Sequence, residues 1–278
     1  MTSRNAPPPR EGRGQGAGRS PPSEVSRANT KSERPGHREQ DDYARSLLLH
    51  EDAQLLVFSK PAGLAVQGGS GVQRSLEDLL AAFAKSNGKR PRLVHRLDRD
   101  TSGVIVAART KPAAAFLSAA FAGRDVRKSY LAIVCGGAPE PAQGVIDLPL
   151  KKAARKGLDV MEIARPGETG AQAALTRFRT LSATNAAALV ELEPETGRMH
   201  QLRAHLAAIG RPIAGDAKYG GLFSIAGAAV GRLMLHAAAL DLPLPQGGRR
   251  RFEAPPPDDF ADLLSLLGLE AAKSRDSC

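Results

Sequence analysis

Hydrophobic side chains are sparse at the start of the chain and become dense and periodic from Leu47 onward. Before that point the large apolar side chains after Met1 are Val25 and Tyr43, and Pro7-Pro8-Pro9 and Pro21-Pro22 interrupt any period. Such a segment buries too little apolar area to offset the entropy of ordering it, so residues 1–46 are expected to be disordered. Leu55-Leu56-Val57-Phe58 then reads as a strand, closed by Lys60-Pro61-Ala62-Gly63. Ser75 and Asp78 have capping-box spacing, and Leu76, Leu79, Leu80 and Phe83 give the helix behind them one apolar face as far as Asn87-Gly88. Val104 to Ala108 is a second strand, and Pro112 and Gly123 bracket a short helix over 113–121. Ser129 to Val134 is apolar on both alternating faces and reads as a central strand.

Leu175 to Thr180 and Ala187 to Leu192 add further strands, while the polar stretch 151–168 reads as a loop or hairpin excursion. Thr196-Gly197 opens a helix reaching Gly210, with Met199, Leu202, Leu206 and Ile209 on its buried face. Asp258 starts a last helix through Phe260, Leu263, Leu264 and Leu267. Strands joined mostly by loops, with scattered helices, predict an α+β fold around a mixed, largely antiparallel sheet. The expected organisation is a basic disordered arm over 1–46, one domain over 47–267 and a tail over 268–278.

Composition narrows the partners more than the fold. In 278 residues, 39 Lys and Arg face 29 Asp and Glu, a formal charge of +10. An excess of that size makes nucleic acid the natural partner, because neutralising phosphates releases counterions. The two cysteines, Cys135 and Cys278, form neither a C-x-x-C pair nor a disulfide framework, which favours a reducing compartment. No apolar run approaches the roughly 18 residues needed to span a bilayer, and the N-terminus lacks the apolar stretch of a secretory leader. A cytoplasmic protein with no membrane association is expected.

The densest polar sequence runs from His95 to Gly103 between two apolar runs, a loop held at a sheet edge. Its carboxylates, Asp98 and Asp100, are flanked by arginines that would keep them ionised; they fit a glycosidase-like pair or plain salt-bridged loop aspartates. A second cluster spans Thr196 to His205, where Arg203 falls beside the apolar stripe of its helix and requires an anionic partner. His200 and His205 are about 140° apart in helical projection, which argues against a zinc pair. Gly215-Asp216-Ala217-Lys218-Tyr219-Gly220-Gly221 lacks the spacing of a phosphate-cradling loop, and Leu235-His236-Ala237 reads as a core histidine.

Taken together, these clusters resemble the RluA-type RNA pseudouridine synthases. The matching blocks are Lys60-Pro61-Ala62-Gly63-Leu64, the run from His95 to Gly103, the run from Lys128 to Val134, and the run from Thr196 to His205 continuing to Gly215-Asp216 and Tyr219-Gly220. Leu235-His236-Ala237 is a shorter fifth match. The resemblance covers roughly residues 47–267, and implies a cleft across the sheet in which a uridine of RNA is isomerised: its bond from ring nitrogen to ribose breaks, the base rotates, and a carbon-to-ribose bond forms. It implies that Asp98 is the catalytic aspartate, acting through the ribose or through the uracil ring, that Arg203 pairs with it, and that Tyr130 lies on the target base. The target must be everted from its stack, and Arg96 matches the position that fills the vacated space. His95, Arg92, Arg99, Lys128, Arg198 and His200 are the further expected RNA contacts, joined by Arg124 and Arg127, with Leu97, Val104 and Leu235 as apolar walls. No metal or organic cofactor is implied, and a monomer acting on ribosomal RNA, or on transfer RNA, is the expectation. Many relatives carry a folded RNA-binding domain ahead of the catalytic one; residues 1–46 are too short and polar to be it.

Overall fold

The computed structural model describes residues 35–69, 72–155, 157–165 and 167–269. Helix α1 (Pro35–Ser46) leads into β1 (Leu48–Glu51) and β2 (Leu55–Lys60), and α2 (Leu76–Leu79) runs directly into a 3-10 turn (Leu80–Phe83). Strands β3 (Arg92–Leu93) and β4 (Ser102–Ala108) flank the polar loop, and α3 (Lys111–Ala122) returns the chain to β5 (Arg127–Cys135). Then come β6 (Gln143–Asp147), a hairpin of β7 (Leu150–Arg155) and β8 (Leu158–Ile163), β9 (Leu175–Ala183) and β10 (Ala187–Pro194). Helix α4 (Gln201–Ala208), the short strands β11 (Ser224–Ile225) and β12 (Ala228–Ala229), β13 (Leu235–Pro243), β14 (Arg249–Glu253) and α5 (Asp258–Leu266) complete the described chain.

The main sheet runs β1-β2-β4-β13-β5-β10-β9-β6, with β14 on β13 and β3 on β4. Its pairings are antiparallel except β4 with β13, which makes it the mixed, largely antiparallel sheet of an α+β fold. That parallel join pairs Ser102 with His236 and Gly103 with Ala237. Gly103 holds φ +117°, and a β-carbon there would stand 2.1 Å from the Ala237 carbonyl oxygen, so only glycine fits. Beside it, His236 Nε2 donates to the Ala254 carbonyl and Nδ1 accepts from the Ser102 hydroxyl, each at 3.0 Å. Burial lowers the His236 pKa, so a neutral ring staples the join. The core histidine expected at this position is the one found.

Two apolar clusters lie along the sheet. One gathers Leu55 to Phe58, Leu76, Leu79, Leu80, Phe83 and Val104 to Ala108; the other gathers Ala132 to Val134, Ala187 to Val190, Leu202, Leu206 and Phe260. Tyr130 packs against both, which puts it at their seam.

Several elements depart from the sequence reading for physical reasons. The arm expected to be disordered ends in α1, because Ala44 is fully buried and Tyr43 packs on the first cluster, while Arg45 lies over the Phe83 ring. The expectation for residues 1–34, and for most of the 268–278 tail, concerns chain outside the described residues. The capping box at Ser75 forms, with the Asp78 N–H donating to Ser75 Oγ and the Ser75 N–H to Asp78 Oδ2. Its helix nevertheless tightens after one turn and stops at Phe83, four residues before Asn87, since Leu80 and Phe83 are already buried. The polar stretch 151–168 resolves into the β7–β8 hairpin. Helix α4 starts at Gln201 rather than at Thr196, and all six residues from Gln201 to Leu206 are buried, so it has no solvent face along that run.

Candidate active site

The loop between β3 and β4 carries Asp98 and is fastened at both ends. His95 Nε2 accepts the Val106 N–H at 3.0 Å, and its ring stacks on Phe121 with centroids 4.2 Å apart. Burial, reinforced by Lys128, pulls the His95 pKa down to about 3, so it serves as a neutral acceptor. At the other end the Arg99 carbonyl accepts the Gly63 N–H, and Arg99 Nε donates to the Gly63 carbonyl. Lys60 is fully buried beneath, its ammonium donating to the carbonyls of Pro61, Leu64 and Arg99, each at 2.9 Å. Burial drags the Lys60 pKa to about 7 against the opposing pull of Asp100 and Asp98. Among site residues, the sequence reading gave Lys60 no role; the signal lay in a lysine ending an apolar strand, ahead of a proline-glycine turn.

The facing wall is α4 with the turn before it and the loop after it. Gln201 organises the turn: its Oε1 accepts from the Thr196 hydroxyl at 2.7 Å and the Arg198 N–H at 3.1 Å. Its Nε2 donates to Leu175 O and Thr176 Oγ1. His205 turns away from the cleft toward Thr176 Oγ1 and the Leu148 carbonyl, so it and His200 do not converge. Arg203 is 5% exposed, and its Nε and Nη2 form a fork on Asp216, both at 2.7 Å. Only Nη1 looks toward Asp98 Oδ2, at 3.9 Å. The expected Arg203–Asp98 pair is present as a loose, shared one: one edge of the guanidinium is occupied by Asp216, and the remaining nitrogen faces the loop carboxylate. Desolvation works against the Arg203 charge, but Asp216 and then Asp98 raise its pKa on balance. Gly215 makes room for this loop, since a β-carbon there would stand 1.8 Å from the Arg232 carbonyl oxygen.

Between the walls lies a cleft of about 770 Å³. Asp98, Tyr130 and Arg203 all line it, together with His95, Arg96, Arg124, Lys128, Arg198 and His200. Leu97, Leu202 and Leu235 supply apolar wall. Arg96 is exposed at its edge. Burial, and secondarily the Asp98 charge, raise the Tyr130 pKa, which keeps its hydroxyl protonated. Lys128 has its pKa lowered by burial and by Arg124, and its ammonium approaches the Thr196 carbonyl at 3.5 Å.

Some expected site residues fall elsewhere. Arg92 and Asp100 are exposed outside the cleft, and Arg99 lies outside it with Nε held by Gly63. Val104 is fully buried in the core and does not form a wall. His95 lines the cleft, but one ring nitrogen and one ring face are occupied within the protein, so it is first of all a fastener of the loop. Asp100 is therefore not the second acid of a paired-carboxylate site.

Comparison with known proteins identifies the family. Residues 54–208 match the family model described as RNA pseudouridylate synthase. Mitochondrial pseudouridylate synthase RPUSD4 of Xenopus tropicalis is 40% identical over 196 residues, 63% of this chain and 60% of that protein. Ribosomal large subunit pseudouridine synthase D of Zymomonas mobilis is 36% identical over 248 residues, 84% of this chain and 76% of that one. The solved structure titled Human RNA Pseudouridylate Synthase Domain Containing 4 superposes with a TM-score of 0.71 at 32% identity, covering 85% of this chain and all of that one. From the family-model match and these relatives, the chain belongs to the RNA pseudouridylate synthase family, a family of isomerases.

Proposed function

We propose that this chain converts specific uridines of large-subunit ribosomal RNA to pseudouridine, with Asp98 as the catalytic carboxylate. The observation that carries the reading is the convergence of Asp98, Tyr130 and Arg203 on one cleft from three separate elements. The net reaction breaks the N1–C1′ bond of uridine and joins C5 to C1′, with N1 gaining a proton and C5 losing one. A carboxylate at the cleft surface suits attack at the sugar carbon, or stabilisation of the positive charge that develops there. Arg203 orients that carboxylate from a fixed position on α4. Tyr130 offers its ring to the everted base, and its protonated hydroxyl stands ready for the proton transfer at C5.

Arg96 at the edge of the cleft fills the gap left in the RNA stack, where a planar cation also reaches phosphate. Lys128, Arg198 and Arg124 take the flanking backbone. The apolar surfaces of Leu97 and Leu235 keep water from the anomeric centre, where hydrolysis would release free uracil instead of isomerised product. We assign this activity to residues 47–267, with α1 as a packed addition and 268–278 as a tail. The RNA class rests on the Zymomonas relative, which is named for the ribosomal large subunit. The reading takes the protein as a monomer in the cytoplasm; the free, buried thiol of Cys135 fits a reducing compartment. Among the described residues, no helix is long and apolar enough to cross a membrane.

Tritium release from 5-³H-uridine ribosomal RNA tests the chemistry: the full chain releases label and Asp98→Asn does not, whereas turnover by Asp98→Asn overturns the assignment. Pseudouridine mapping in cells lacking the protein tests the substrate. A lost site in large-subunit RNA is the expected result; a lost site in transfer RNA alone overturns the ribosomal choice, and no lost site favours a non-catalytic assembly factor.

A further inference from the structure

His200 caps the start of α4 with φ 49° and ψ 21°, a left-handed conformation that residues with a β-carbon seldom hold and that clusters at functional sites. Its side chain is 11% exposed within the cleft. Nδ1 lies 3.1 Å from the Tyr219 hydroxyl, and that hydroxyl oxygen accepts the Met161 N–H at 2.7 Å. In the neutral Nε2–H tautomer of His200, Nδ1 accepts the Tyr219 hydroxyl hydrogen. A neutral imidazole that accepts at Nδ1 carries its hydrogen on Nε2. Nε2 faces Asp98 Oδ2 at 3.9 Å, the same separation at which Arg203 Nη1 faces the same oxygen. Both separations exceed hydrogen-bond length, as is common in unliganded sites whose bonds tighten around substrate.

We propose that His200 is a positioning residue: with RNA bound, its Nε2–H donates to Asp98 Oδ2 alongside Arg203, leaving Oδ1 for the uridine. This rests on Asp98 being the catalytic carboxylate. The ring is neutral by environment. Burial lowers its pKa, Arg203 and Lys218 add to that, and Asp98 and Asp216 oppose it without prevailing. The Met161 amide, Tyr219 and His200 thus line up as donors running from β8 toward the Asp98 carboxylate.

Two substitutions separate this role from an RNA contact. Asparagine tolerates the left-handed backbone but falls short of Asp98, whereas glutamine carries an amide N–H out to the position of Nε2. In single-turnover tritium release with the full chain, His200→Asn is expected to lower kcat about 10- to 100-fold, the range for a hydrogen bond to a charged group, with KM and RNA Kd nearly unchanged. His200→Gln is expected to recover most of that loss. An unchanged kcat in His200→Asn, a loss confined to KM and Kd, or a glutamine variant no better than the asparagine one each overturns the proposal. Should His200→Asn fail to fold, Tyr219→Phe removes the hydroxyl that fixes the tautomer; a lower kcat at unchanged Kd supports the role, and an unchanged kcat overturns it. Asp98→Asn in the same assay keeps the two readings apart, because its inactivity beside a fully active His200→Asn defeats this inference alone.

Discussion

Each wall of the cleft carries an aspartate, and the two are held in opposite ways. Asp216 is completely buried, forked by Arg203, and also accepts the N–H groups of Lys218 and Tyr219. Asp98 keeps 25% of its side chain exposed, and the Arg203 guanidinium and the neutral His200 ring each stand 3.9 Å away. A buried carboxylate that already accepts four hydrogen bonds is a structural anion. One whose lone pairs face a cleft under a nearby positive charge is available for chemistry. The difference shows how the site divides its tasks: one wall is over-determined so that the other can leave its acid under-bonded yet well aimed.

The sharpest way to separate the walls is to neutralise each acid in turn. Asp98→Asn is expected to reduce turnover on the order of 10⁴-fold or more, the scale for removing a reacting group. Its melting temperature and RNA Kd should stay at wild-type values, because Asp98 carries no buried bond. Asp216→Ala should behave in the opposite order. It strands a buried guanidinium without its counter-charge, which costs about 3–5 kcal/mol, read as a lower urea midpoint at unchanged slope. Activity falls with it, since Arg203 then swings free of its fork. An Asp216→Ala protein as stable as wild type would erase the distinction between the walls.

The sequence discloses the reactive wall better than the fixed one. The loop from His95 to Gly103 announces itself by charge density between two strands, but it leads into β4, which lies inside the sheet between β2 and β13 rather than at its edge. The strands through Leu55, Val104, Tyr130 and Leu189 are equally plain, because fully buried strands show as unbroken apolar runs. What a single sequence conceals is which partner a polar residue chooses. Arg203 reads as needing an anion, but nothing local distinguishes Asp98 from Asp216, as the choice depends on how the 215–221 loop folds back. Helix α4 misleads because periodicity assigns it an outer polar face, whereas Gln201, Arg203 and His205 are buried and satisfied by distant groups. Arg99 shows the converse: a cation in the reactive loop that faces away and fastens a turn. Helix α1 hides behind weak apolar content, with Tyr43 and Ala44 supplying its anchor.

Acid acts on the fastening of the reactive wall. The reactive loop is fastened by a neutral imidazole, His95, whose pKa lies near 3 when folded against an ordinary 6.5. The unfolded chain binds that proton first, so the contribution is fully present above about pH 6.5 and is lost as pH falls toward 3, at up to roughly 1.4 kcal/mol per pH unit. His95→Gln keeps an acceptor for Val106 without titrating, and urea midpoints across this window should fall less steeply with acid than in the wild type. Equal slopes would mean that His95 is not the titrating fastener.

The contrast between engaged and available charge extends to the cations beyond the cleft, where the effect is smallest. A neighbouring hollow of about 500 Å³ shares Arg124 and Lys128 with the cleft and adds Arg127, Arg177 and Arg251. Arg177 is already bound to Glu195 at 2.7 Å and Arg251 to Glu253 at 2.6 Å, whereas Arg127 is exposed and makes no ion pair among the described residues. If RNA leaving the cleft crosses this hollow, Arg127 is, of the three cations the hollow adds, the one free to displace a counterion from phosphate. Arg127→Ala should then reduce the slope of log Kd against log salt by about 1 and weaken binding uniformly across RNA sequences, with kcat unaffected. Arg177→Ala removes a charge that Glu195 already compensates and should change the slope less. Equal changes for both would show that protein ion pairs open on binding, and that proximity to the cleft, rather than prior engagement, decides which cations meet the RNA.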